Sequence, residues 1–416
     1  MTPIPGSASE SLAEDGNSPS GPLAGIRVLE IGTLIAGPFA GRILADFGAE
    51  VIKIEAPGRP DPLREWGHGQ YRDRHLWWPV QSRNKKLVTL DLQRGQDLFL
   101  RLVERSDIVL ENFRPGTLER WGLSYESLRG VNSRVVLVRV SGYGQTGPLA
   151  ERAGYASVAE AVSGMRSLNG YRDQAPPRTG LSLGDSLAGL FAVIGALLAL
   201  VSRQRSKEGA GQVVDVSLVE SCLALLESVI PEYDRLGLIR EPSGTRLDGI
   251  APSNIYRTRD NRWLLIAANQ DGVFRRLCHA MGRPALVDDP HFVDHVSRGD
   301  NADELDELVA EWAVGLDAGE LEEILNRAGV VCGPVNTVAE VVAEEHLRAR
   351  EAIVPHHDPE LGDFLGPGVV PRLSSTPGSV RWTGPWLAGA LNEEIFGGLL
   401  GVSDEQLEGL RQSGVI

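Results

Sequence analysis

Asp185 stands immediately before a helical run, Ser186 to Arg205, where a carboxylate can serve in two ways. As an N-cap it would accept backbone N–H bonds. Near the positive end of a helix its charged form is also favoured, which leaves it ionised at neutral pH and usable as a nucleophile without a neighbouring base. Just upstream, Gly180-Leu-Ser-Leu-Gly184 matches the nucleophile elbow G-x-S-x-G, which would make Ser182 the nucleophile of a serine hydrolase or thioesterase. An elbow needs a strand directly before it, whereas Pro176, Pro177 and Arg178 precede this one, and Pro cannot donate to a central ladder. Its histidine would have to come from His279, His291, His295, His346, His356 or His357, none in a recognisable setting.

Three further patterns have chemical readings. Gly142-Tyr-Gly-Gln-Thr-Gly147 matches the dinucleotide pattern G-x-G-x-x-G and follows a strand, but the helix, second strand and acidic residue of a true fingerprint do not follow. A glycine turn that lets backbone approach something closely is the better reading. His291 and His295 are four apart and could share a helix face, yet the run lacks the Glu that a zinc protease places after its first His. Arg83-Asn-Lys-Lys86 reads as a solvated loop, a reading that only a phosphate-bearing ligand would change.

The elements that must position these residues are legible from periodicity. Ile26 to Ile31 and Glu50 to Glu55 read as strands flanking a helix from Pro38 to Phe47, a β-α-β unit with short connections. Further strands are expected at 107–112, 134–140 and 213–217, alternating with helical stretches, which predicts the parallel α/β class. The text then turns to Gly, Pro and charge near 236–252. We expect a large domain over 23–224, a small one over 225–330, and a C-terminal segment, 331–416.

With 416 residues, 42% of them hydrophobic, the chain can bury two cores. It carries 41 Lys+Arg against 56 Asp+Glu, and the net charge of −15 repels nucleic acid and anionic membrane surfaces, although a local basic pocket could hold an anion. Three cysteines, odd in number and without a Cys-x-x-Cys pair, indicate neither a disulfide framework nor a zinc site, which fits a reducing cytoplasm. Residues 1–22 read as a disordered, acidic tail with no signal-peptide pattern. The apolar run Leu187 to Val201 is shorter than the ~20 residues needed to cross a bilayer and reads as a buried helix.

Taken together, these runs resemble the class III CoA transferases, which include formyl-CoA, carnitine and succinyl-CoA-dependent transferases and the related α-methylacyl-CoA racemases. The likeness begins at Leu23 with LAGIRVLEIGTLIAGPFAGRILADFGAEVIKIE and passes through Arg83-Asn-Lys-Lys, DIVLENFRPG, Arg120-Trp-Gly, SGYGQTGP and Arg152-Ala-Gly-Tyr155. It continues through Gly184-Asp-Ser and CGPV at 332–335 to Gly414-Val-Ile.

The resemblance implies a Rossmann-like large domain built from both ends of the chain, a smaller α+β domain between, and an interlocked ring-shaped homodimer. It implies an acyl-CoA donor and a carboxylic acid acceptor as partners, coenzyme A as cosubstrate, no metal and no permanently bound cofactor. Carried over by position, the acylated carboxylate falls on Asp185. CoA contacts fall on Ile35, Ala36, Leu90, Asn112, Phe113, Arg120 and Arg152, with arginines suited to phosphates. Departures narrow the substrate. Formyl-CoA transferases have glutamine at Ile35, lysine at Gln93 and a glycine-run loop whose nearest counterpart here is Gly244 to Gly249. RAGYASVAEAVSGM is closer to relatives that use succinyl-CoA and other dicarboxylates. Trp66, Arg64, Arg178 and Arg246 are candidates to shape the acyl pocket. Racemases carry His where Tyr155 stands, and a phenol of pKa ~10 is a poor base at neutral pH. An inactive CoA-binding paralogue remains the non-enzyme alternative, against which an intact Asp185 argues.

Overall fold

The computed structural model describes residues 21–416, so the expected tail lies almost wholly outside the described residues. Six parallel strands form the central sheet of the larger unit: β1 (Arg27–Glu30), β2 (Glu50–Glu55), β3 (Lys85–Thr89), β4 (Ile108–Glu111), β5 (Val136–Ser141) and β6 (Val213–Ser217). Their order is β3-β2-β1-β4-β5-β6. This is the doubly wound order that reverses between β1 and β4, so a crevice is expected outside the carboxyl ends of those two strands. Strands covered on both faces need continuous apolar runs, and the centres of β1, β2, β4 and β5 are wholly buried.

Four helices matter for the site: α1 (Ala36–Asp46), α2 (Thr117–Arg120), α3 (Ala156–Val162) and α4 (Leu183–Arg205). α1 and α4 meet where a Cβ on Gly189 would come within 2.8 Å of Phe39 and 3.0 Å of the Ala36 carbonyl oxygen. The small residues Ala188, Ala192, Ala196 and Ala199 continue that buried face. Its opposite face is not buried as the apolar run led us to expect: Leu190, Ile194, Leu197, Leu198 and Val201 are exposed on this chain. At 23 residues and mean hydropathy 2.0, α4 is long and apolar enough to cross a membrane by length and composition, but half of that stretch is buried in the fold.

The opposite face of the sheet is covered by Phe99 and Leu102, and by Phe396, Leu407, Val415 and Ile416 from the end of the chain. Residues 348–416 thus belong to the larger unit along with 21–163 and 180–225. The second compact unit comprises 164–179 and 226–347. Its antiparallel strands β7 (Ser253–Arg257), β8 (Trp263–Ala267) and β9 (Val331–Pro334) lie in the order β9-β8-β7, with helices 271–280, 302–313 and 318–328 around a core of Leu264, Ile266, Leu277, Val309, Leu321 and Leu325. β9 holds Cys332, Gly333 and Pro334 of the CGPV run and pairs with β8, which holds 331–334 in the smaller unit.

Arg83 to Lys86 is not a solvated loop. Arg83, Asn84 and Lys85 are buried, and Lys85 opens β3. Arg83 Nη2 lies 2.6 Å from Asp46 at the end of α1, and Lys85 Nζ lies 2.7 Å from Glu30 on β1. Glu30 also meets Lys53 at 3.0 Å, and Lys53 meets Asp61 at 2.9 Å. Buried charges survive only when paired and hydrogen-bonded. Desolvation pulls Lys53 down, but Asp61, Glu30 and Glu55 outweigh it and hold its pKa above the lysine range. Desolvation dominates at Lys85, which falls to about 8 despite Glu30.

Candidate active site

At the carboxyl ends of β1 and β4 the larger unit holds two adjoining hollows that share Thr33 and Phe113 in their walls. The inner one, about 220 Å³, brings Ile35, Ala36, Asn112, Phe113, Arg152 and Asp185 together. The outer one, about 440 Å³, takes Leu90 with Gln93, Arg59 and Trp121. Arg120 lines neither: it is the last residue of α2, and its Nη2 donates to Thr117 Oγ1 at 2.9 Å. The crevice therefore falls where the reversal of strand order puts it.

The loop from β1 into α1 is fixed by two side chains. Asn112 Oδ1 accepts the Thr33 N–H at 2.9 Å while its Nδ2 donates to the Thr33 carbonyl at 2.8 Å. Asn112 is thus a brace between strand ends, and only its remaining N–H and lone pair stay available for a ligand. A Cβ on Gly32 would come within 2.7 Å of Asn112 Oδ1, so the brace requires glycine there. Asp61 accepts the Leu34 N–H at 3.1 Å, holding Leu34 at φ +65°, a left-handed conformation uncommon for a side-chain-bearing residue and concentrated at functional sites. Burial works against ionising Asp61, but Lys53 and the amides of Leu63 and Leu34 prevail and hold its carboxyl below the usual range.

Asp185 is not the N-cap. The helix starts at Leu183 with Ser182 in the cap position, and Asp185 is an acidic residue of the first turn, still within reach of the positive helix end. That turn is anchored: the Gly184 N–H donates to Glu160 Oε1 of α3 at 3.1 Å, and a Cβ on Gly184 would come within 3.1 Å of the Ala156 carbonyl oxygen. The Cys222 thiol lies beside this group. Burial first, then the charges of Glu160 and Asp185, push it up to about 11, which keeps it protonated and unreactive at neutral pH.

The rival readings lack their geometry. No strand runs into Ser182, and Ser182 does not line the cavity. No histidine lines it among the described residues, so neither a Ser-His pair nor a racemase acid/base pair is assembled there. The glycine turn after β5 opens no helix. Gly142 instead faces Gly154, where a Cβ on either would come within 2.8 Å of the other's Cα. Both glycines line the cavity beside Tyr155. Among the described residues no group of three or more His, Cys, Asp or Glu is placed to hold a metal ion.

The acyl-pocket candidates separate. Trp66 lines the inner cavity. Arg64 does not: it meets Glu55 at 2.6 Å and lies 3.5 Å over the Trp78 ring. Arg246 is committed to Asp303 and Asp306 inside the smaller unit, to which Arg178 also belongs. Two guanidiniums that sequence reasoning missed stand in the hollows, Arg114 in the inner and Arg59 in the outer. The signal available for both was position, since each follows the carboxyl end of a parallel strand within a few residues.

A doubly wound sheet whose switch-point crevice combines a first-turn carboxylate, exposed guanidiniums and apolar walls defines an α/β enzyme for an anionic, partly apolar ligand. The sequence profile of CoA-transferase family III matches residues 23–390, and the chain belongs to that family. It is 52% identical over 400 residues to a succinyl-CoA–D-citramalate CoA-transferase of Chloroflexus aurantiacus, covering 96% of this chain and 99% of that one. It is 40% identical to the beta subunit of a succinyl-CoA–L-malate CoA-transferase from the same organism, over 97% and 100% of the two chains. A CAIB/BAIF family protein of Brucella suis has a similar solved structure, with TM-score 0.78, 31% identity, and coverage of 92% and 99%. The protein is therefore a CoA-transferase that moves CoA between acyl groups, with CoA as cosubstrate.

Proposed function

We propose that this enzyme transfers CoA from succinyl-CoA or another dicarboxylic acyl-CoA to a carboxylic acid through Asp185. The observation that carries this reading is Asp185 in the first turn of α4, in one cavity with Ile35, Ala36, Asn112, Phe113 and Arg152. The pantetheine arm enters past Leu90 and Phe113, with the outer hollow and Arg59 toward the nucleotide end and Arg120 beyond it. Within the inner cavity Arg114 and Arg152 supply positive charge for the acyl group's distal carboxylate. The names of the relatives support a dicarboxylic donor.

Asp185 attacks the thioester carbonyl carbon, the C–S bond breaks, and a mixed anhydride forms beside the CoA thiolate. The thiolate attacks the aspartyl carbonyl carbon, the anhydride C–O bond breaks, and the donor leaves as its carboxylate. An aspartyl-CoA thioester remains. The acceptor carboxylate attacks that thioester, expelling thiolate and forming a second anhydride. The thiolate then attacks the acceptor's carbonyl carbon and restores Asp185. No proton, metal or redox equivalent is consumed, because every step exchanges one activated acyl group for another.

The exposed stripe of α4, Leu190 to Val201, supports burial against a second copy in a homodimer. A cytoplasmic location accords with three free cysteines. The test is CoA exchange between succinyl-CoA and a panel of acids, read by mass. Asp185→Ala should abolish exchange and Ser182→Ala should retain most of it; an active Asp185→Ala enzyme contradicts the proposal.

A further inference from the structure

Beneath the segment Asn112–Phe113 lies a group of three charged residues that the chemistry above does not use. Glu111 ends β4 and is fully buried; Arg139 lies beside it on β5, where the strand register pairs the two residues directly. Glu111 Oε2 accepts the Phe113 N–H at 2.6 Å, and its Oε1 accepts Arg139 Nε at 2.7 Å. The other edge of the guanidinium grips Glu119 on α2, with Nη1 to Oε1 at 2.6 Å and Nη2 to Oε2 at 3.1 Å. Glu119 is the immediate neighbour of Arg120. One nearly buried arginine thus ties the strand end carrying Asn112 and Phe113 to the short helix carrying Arg120.

We infer that Arg139 is the positioning residue of the coenzyme site, and that the Glu111–Arg139–Glu119 group sets the spacing between the pantetheine segment and the Arg120 guanidinium. This rests on reading Phe113 and Arg120 as CoA contacts. A four-residue helix has too few internal bonds to hold its own orientation. A bidentate guanidinium–carboxylate pair supplies that orientation with fixed geometry. The exposed Arg120 side chain has only Thr117, on the same short helix, as its hydrogen-bond partner among the described residues, so its position follows that of α2.

The group is also sensitive to pH near neutrality. Burial drives the Glu111 carboxyl up to about 7, against the pull of Arg139 and the Phe113 amide and with Glu119 adding to the rise. The charged groups facing it are Arg139 from β5 and Glu119 from α2. Protonation removes the anionic acceptor of the Phe113 amide, so CoA affinity should weaken as pH falls through about 7.

Glu119→Gln frees α2 while leaving no unpaired charge in the interior, because Glu119 sits on the exposed side of the group. Calorimetry with CoA and steady-state kinetics with succinyl-CoA test the inference on the intact enzyme. Loss of one charge-assisted pair should raise the Kd for CoA about tenfold, while kcat changes by less than about twofold. Glu119→Asp should restore part of the affinity, and Glu111→Gln should flatten the dependence of Kd on pH between 6 and 8 relative to the wild type, windows set by ~1 unit either side of the titration. An unchanged Kd in Glu119→Gln, with or without a lower Tm, overturns the positioning role. Arg120→Ala separates the two levels: if it leaves Kd unchanged, the CoA reading of α2 fails; if it weakens CoA while Glu119→Gln does not, only the positioning inference fails.

Discussion

A hydrogen atom in place of a side chain at position 41 keeps the floor beneath the cavity intact. A Cβ there would lie 1.9 Å from Glu30 Oε2, the carboxylate that holds both Lys53 and Lys85 in the interior. Gly41→Ala should therefore cost about 3 kcal/mol or more, because it separates buried charges from their partners. Thermal unfolding checks this: for a chain this long the loss should lower Tm by about 3 °C or more, and a Tm within a degree or so of the wild type, a shift worth at most about 1 kcal/mol, contradicts it. Asp61 gives a pH signature. Its carboxyl is held below its ordinary value of 3.8, so the stability it contributes is fully present above that value and is lost as pH falls through the lower folded one. Asp61→Asn should lose about 3 kcal/mol at neutral pH, and urea unfolding should show the gap to wild type narrowing below pH ~4. At this scale residue type and position at the head of a helix pointed to Asp185, whereas Ile35, Ala36, Asn112, Phe113 and Arg152, which line the cavity with it, were named only through the family resemblance, because nothing local to them signals a ligand. Roles were less legible. Asn112 braces a loop, and Asp185 lies inside the first turn instead of capping it, since both depend on partners many residues away.

The elements follow a similar division. Strands at 50–55 and 213–217 were legible to the residue because their apolar runs are bounded by polar turns. β3 was not, for its first two residues are lysines, and a lysine pair reads as solvent-facing until the carboxylates that receive it are known. Nothing local to Arg83–Lys86 signals Asp46 or Glu30, which come from α1 and β1. The glycine turn at 142–147 has the spacing of a dinucleotide loop, yet its close approach is to Gly154. The apolar run of α4 reads as a buried helix because hydropathy alone does not distinguish a helix buried on every side from one buried on a single face. Its alanines are buried together with Leu187, Val193 and Leu200, while Leu190, Ile194, Leu197, Leu198 and Val201 face out. Leu198 is 65% exposed in the centre of that stripe, so Leu198→Glu should cost the isolated fold little and a homodimer much. Sedimentation of the variant should show monomer; an undisturbed dimer contradicts assembly through α4.

The whole molecule is acidic, with 56 acidic against 41 basic residues, yet Arg59, Arg114 and Arg152 stand together around one crevice. Local positive charge on an anionic protein suits a single phosphorylated coenzyme and disfavours nucleic acid. The sheet order fixes where that crevice lies, and family membership fixes the class of reaction carried out in it. What turns these into a mechanism is the covalent role of one carboxylate. The most direct measurement is to quench the enzyme during turnover with succinyl-CoA, treat one portion with hydroxylamine, and map the peptides by mass. CoA in thioester linkage on Asp185 is expected in the untreated portion, and a hydroxamate at the same residue in the treated one. An acyl adduct on Ser182, or continued turnover with Asp185 unmodified, would contradict it.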